Sequence, residues 1–221
     1  RVGLRDWERQ LVAVSLGTAT HDLGDWEWCL AQADVFAGDE VPLAYRMSFA
    51  ETRMAIAAYQ GDLEGAFRQR NEIEVQLPAE GDPQTHLSHA FNTSRLQTLC
   101  GDPAAGYRTV MAALPTMRGT WAMRGHIVAG SHALLAGDEA AVRVVREGWR
   151  SLGVHGRVAD AYTTAFEAAI DVFEGRVAAG AAGFRSSVEA LDLLGFRVDR
   201  ALMLTSAVRL LGVDEPYGRA A

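Results

Sequence analysis

Glycine recurs along this chain at a nearly constant interval. Gly24, Gly61, Gly101, Gly137, Gly175 and Gly212 stand 37, 40, 36, 38 and 37 residues apart, and the first four are each followed by aspartate (Asp25, Asp62, Asp102, Asp138). Each glycine closes an apolar stretch with helical spacing. Glycine enters the left-handed conformation that ends a helix without a Cβ penalty. The following carboxylate can accept the free amide hydrogens of the next first turn. A period of this size marks stacked helix-turn-helix units that bury their apolar faces against one another. The chain is therefore expected to be all-α, a right-handed α-solenoid of antiparallel helix pairs.

Spacing between the glycines agrees. Met47, Ala50, Met54 and Ala57 recur at intervals of three and four, as do Val142, Val145, Trp149 and Leu152, and then Val177, Ala181, Phe184, Val188 and Leu191. That pattern paints one face of a helix. No segment alternates with period two, so no strand is expected. About eleven helices follow: first members of each pair over 5–22, 42–60, 83–100, 118–136, 156–174 and 198–211, second members over 25–37, 62–77, 103–114, 138–152 and 176–194. Asp82-Pro83 and Asp102-Pro103 read as a capping aspartate before proline at the first helical position, where its missing N–H costs nothing. Connections such as 38–41 and 78–81 are short, which keeps neighbours antiparallel. Residues 1–221 read as a single helical-repeat domain. The sixth pair lacks its second helix, and the start has neither methionine nor a signal-peptide core. On those grounds the chain reads as a fragment of a longer protein.

Composition narrows the function classes. Hydrophobic residues make up 49% of the chain, enough apolar surface to offset chain entropy. No run approaches the roughly 18 apolar residues of a membrane span. Net charge is −7, all 21 cations are arginine, and no basic run occurs; an acidic balance argues against phosphate-backbone binding. Neither nucleic acid nor membrane is an expected partner. Cys29 and Cys100 fall in different repeats and read as small hydrophobes in helices. Reduced thiols fit a cytoplasmic setting.

The helix pairs resemble tetratricopeptide repeats. Five positions after each glycine, where that family carries a small residue, stand Cys29, Ala66, Gly106, Val142 and Gly180, and Pro78 lies where its terminal proline belongs. The stretch 48–81 matches best. The spacing of 36–40 exceeds the family's 34, and most aromatic positions of its first helix are unmatched. Such elongated repeats are similar to the C-terminal sensor arms of large bacterial signalling ATPases and transcriptional regulators. The resemblance implies that the first helix of each pair lines a concave groove. Counted back from each glycine, that groove takes Glu51 and Thr52, then Ser88, Phe91, Asn92 and Arg95, then Arg124, Ile127 and Ser131, and finally Tyr162 and Phe166. Arginine there can grip a carboxylate or phosphate with two prongs. The family's lysine-rich clamp for chaperone tails is not implied, because this chain has no lysine.

Catalytic constellations are sparse. His86 and His89 lie three apart on one helix and lack an obvious third metal ligand. His126 and His132 face different directions. Ser88-His89 and Ser131-His132 are adjacent, and adjacent helical residues point apart. Gly175, Gly180 and Gly183 precede no Lys-Ser or Lys-Thr step. Glu72 and Glu74 belong on a solvated face. Of Trp26 and Trp28, only one can lie inward. The expected function is a protein- or effector-binding scaffold or sensor module of a cytoplasmic signalling or transcriptional regulator, with neither catalysis nor cofactor of its own. Its binding residues are Glu51, Ser88, Asn92, Arg95, Arg124 and Tyr162, and its partner a protein, a peptide or a small effector. The alternatives are a receptor with its ligand inside the superhelix and an all-α metal-dependent enzyme.

Overall fold

A computed structural model of the chain describes Val12, Ser15, Leu16 and residues 19–35, 43–77 and 83–212. Among these residues there are ten α-helices and no strand. In order they are α1 (Trp26–Val35), α2 (Leu43–Tyr59), α3 (Leu63–Gln76), α4 (Pro83–Leu99) and α5 (Pro103–Ala113), then α6 (Thr120–Ala136), α7 (Glu139–Ser151), α8 (Arg157–Phe173), α9 (Val177–Leu193) and α10 (Arg197–Leu211). All ten end within two residues of the expected bounds. The helix expected over 5–22 falls mostly outside the described residues, and its end is a π-helical turn, Ala19–Leu23. Pro78 and Asp82 also lie outside them.

The turn chemistry works as the sequence suggested. All six periodic glycines have φ between 67° and 91°. Asp62, Asp102 and Asp138 each accept a hydrogen bond from the backbone N–H three residues on, at 2.9, 2.8 and 3.0 Å. The five small positions that follow the turns, from Cys29 to Gly180, are all buried. Two further turns, at Gly153 and Gly195, also take positive φ.

The chain divides into two compact units, Arg1–Cys100 and Gly101–Ala221. In the first, α2 packs on α1, α3 and α4. Its Met47, Met54 and Ala58 meet Ala66 and Ile73 of α3 and Leu96 of α4, while Phe49 and Ile56 join Cys29 and Ala33 of α1. Trp26 stacks on Tyr59 with ring centroids 5.6 Å apart, and its indole N–H donates to the Thr20 carbonyl. Trp28 is the outward one, 44% exposed.

In the second unit each helix packs on the next, and α10 returns to lie against α6 as well. Arg209 of α10 donates to the Ala136 carbonyl at the end of α6, 3.3 Å away. An open row of hairpins would keep these two apart, so this unit curls back on itself. Trp149, Tyr162 and Phe166 fill its centre, the Trp149 and Phe166 rings meeting edge to face at 6.1 Å. Tight approach depends on missing side chains: a Cβ on Gly130 would overlap the Phe166 ring, and one on Gly180 would sit 2.8 Å from the Ala168 carbonyl oxygen.

Candidate functional site

Four of the six expected site residues belong to the first unit, and three of them meet. Glu51 points from α2 toward α4. Both Ser88 Oγ and Asn92 Nδ2 donate to its Oε2, the latter at 3.5 Å. Residues 88 and 92 share a face because they lie one turn apart. The meeting place is not an open groove, however. Glu51 is 2% exposed and Asn92 is 6%, so the carboxylate sits inside the α2–α4 contact. Arg95, three residues beyond Asn92, is half-buried.

Two members of this cluster, His89 and Thr93, were not among the expected binding residues. His89, which is buried, sets Nδ1 3.7 Å from Glu51 Oε1 and Nε2 3.7 Å from Glu74 Oε1 on α3. Thr93 Oγ1 lies 3.5 Å from the same Nε2. Glu74 is paired with Arg70 at 2.5 Å. That guanidinium holds the Glu74 carboxyl below the ordinary carboxylate value, burial opposing it and His89 adding a smaller pull in the same direction. The available signal was the 37-residue step from Glu51 to Ser88, close to the spacing of the turn glycines, and the helices carrying the two residues do pack together.

The remaining two expected residues belong to the second unit. Arg124 is half-buried on α6. Tyr162 is a correction: it is 1% exposed and tilts against Phe166, itself fully buried, so neither lines an accessible groove there. Counting back from the glycine selects a helix face but cannot say whether a later helix covers it; here α10 does pack on α8. His126 is likewise structural, with Nδ1 2.8 Å from the Ala122 carbonyl oxygen and its ring over Gly148. Cys29 is buried, and burial pushes its thiol up. Cys100, read as a small hydrophobe within a helix, is exposed just beyond the end of α4. Among the described residues, no three His, Cys, Asp or Glu side chains gather to hold a metal ion, and no helix is long and apolar enough to cross a membrane.

The first unit also carries a cleft of about 360 Å³ between α2 and α3. Met47, Ala50 and Ile73 form its floor, while Arg46 and Arg53 stand along one wall and Gln69, Glu72 and Gln76 along the other. Each wall repeats every seven residues or so because two helical turns restore the same face. Arg53 is held by Asp34 of α1 at 2.7 Å, and that carboxylate is 74% exposed. Gln69 Oε1 is buried without a hydrogen-bond partner.

No protein-family model, curated protein or solved structure matches the chain. The cluster at Glu51 is closed to solvent, and the cleft is open to it. A volume near 360 Å³ is at the small end of ligand pockets, and an apolar floor with a few polar groups is their usual chemistry.

Proposed function

We propose that this chain is a recognition module, the protein- or effector-binding arm of a signalling or transcriptional regulator, built on tetratricopeptide-like hairpins. Regular glycine turns, three aspartate caps and five buried small positions support the repeat reading. The hairpins bind and do not transform: the partner presents an acidic group to the α2–α3 cleft and lays apolar surface on its floor. The observation that carries this reading is the pairing of two arginines on one wall with glutamine amides on the other. Arg53 would exchange Asp34, an exposed and weakly held partner, for the ligand's carboxylate.

Thermal-shift screening of the full chain against carboxylate-bearing metabolites and acidic peptides tests this, since a ligand bound only by the folded state raises its melting temperature. Arg53→Glu should abolish any such shift. A shift that survives this reversal removes the cleft from consideration.

A further inference from the structure

The two walls of the α2–α3 cleft differ in charge, and the helical hairpin sets them in register. Arg53 and Gln69 stand eight residues either side of Gly61, Ala50 and Glu72 eleven, and Arg46 and Gln76 fifteen. Both helices rise by about 1.5 Å per residue, so positions equally far from the turn lie opposite one another. All six line the cleft. The α2 wall therefore carries a guanidinium at either end, with the small Ala50 between them. Guanidinium groups donate hydrogen bonds and accept none. The α3 wall adds acceptors: Gln69 Oε1, buried without a hydrogen-bond partner, and the exposed carboxylate of Glu72. These two stand three residues apart and so share one helix face. A ligand that was only an anion would satisfy Arg53. It would also leave Gln69 Oε1 unmet and face Glu72 as a like charge.

We infer that the cleft holds a free α-amino acid with an apolar side chain. This rests on the reading of the cleft given above and narrows its ligand from carboxylates at large to zwitterions. The carboxylate takes the charge-assisted contact with Arg53. The ammonium turns to the opposite wall, giving one N–H to Gln69 Oε1 and another to Glu72. An α-amino acid carries both charges on one carbon, so one small molecule spans the two walls. Its side chain lies along the apolar floor toward the end closed by Arg46 and Gln76. An internal peptide residue lacks both charges, and a chain terminus keeps only one. A volume of about 360 Å³ also suits a small molecule better than a helix or an extended segment.

The test is calorimetric titration of the full chain with L-leucine and L-methionine. Each is compared with the same acid lacking its amino group and with its amide, which lacks the carboxylate. One amino acid per chain and a raised melting temperature are expected. Removing either charged group should weaken binding by about tenfold or more. Glu72→Gln, on an exposed side chain, should cut the preference for the amino acid over its des-amino acid by about tenfold. Glu64→Gln, on an exposed acid outside the cleft, should leave that preference unchanged. If neither amino acid binds, or if the des-amino acids bind as tightly, the zwitterion assignment is overturned. A preference that Glu72→Gln does not alter overturns it too. In each of these cases the broader cleft reading stands if other carboxylates bind and Arg53→Glu abolishes their binding. Amino-acid binding that persists in Arg53→Glu removes the cleft and both readings with it.

Discussion

The first unit places a carboxylate inside the contact between α2 and α4, whereas the second, though it also buries His126 and His132, buries no carboxylate among its described residues. Glu167 of α8 illustrates the second strategy: Arg146 grips it with two nitrogens at 2.8 and 3.1 Å, and Arg150 adds a third bond at 3.0 Å. Glu174 is shared by Arg143 and Arg176 in the same way. These ions remain hydrated, so their pairing is worth little. Glu51 has no such refuge. The contrast teaches that in an all-helical protein a carboxylate at a helix–helix contact is the exception to explain, since an apolar residue there would be easier to bury.

Replacing core aromatics should have the largest effect and should erase the contrast. Phe166→Ala removes a fully buried ring from the second unit, and Phe49→Ala does the same in the first. Each should cost about 3–5 kcal/mol in denaturant unfolding. A loss below about 1 kcal/mol at either site would break the picture of two properly packed cores.

Overpacking then separates the units. Gly180→Val pushes a side chain into the Ala168 backbone, costing about 1–3 kcal/mol. Ser88→Ala should cost a similar amount, about 1–3 kcal/mol, for a different reason: it deprives a buried carboxylate of a donor. Chemical denaturation of both variants checks this. An unchanged midpoint for Ser88→Ala would mean that this hydrogen bond does not hold Glu51 in place.

Caps should not distinguish the units at all. Asp62→Ala and Asp138→Ala each lose one side-chain bond to a first-turn N–H, worth about 1 kcal/mol, and equal shifts in thermal unfolding are expected. Acid gives the smallest effect. Arg70 lowers the Glu74 carboxyl, and Arg143 and then Arg176 lower that of Glu174, both from an ordinary 4.5. A carboxyl depressed in the folded state stabilises fully above its unfolded value and loses that contribution as pH falls through the folded one. Stability should thus decline slightly below about pH 4.5, and less so in high salt, where exposed pairs are screened. A loss that is indifferent to salt would mean that these exposed pairs are not its source.

Much of the fold was legible because its signals are local. Gly61 ends α2 and Asp62 starts α3 through bonds spanning only a few residues, so nearby sequence suffices to read them. The Glu51–Ser88–Asn92 grouping was half legible: a step close to the spacing of the turn glycines brought the right residues together, yet implied an open groove where there is a sealed contact. His89 and Glu74 were read as an isolated histidine pair and a solvated acid, because their partnership joins side chains of two different helices, α4 and α3.

What the amino-acid order settled alone was the division into hairpins, since turn glycines, capping aspartates and three-to-four spacing act within a few residues of chain. Only the tertiary structure decided which polar groups were sealed away and that α10 folds back on α6. Those outcomes depend on the close approach of side chains far apart in sequence, such as Arg209 and the Ala136 carbonyl, and no local preference encodes that distance.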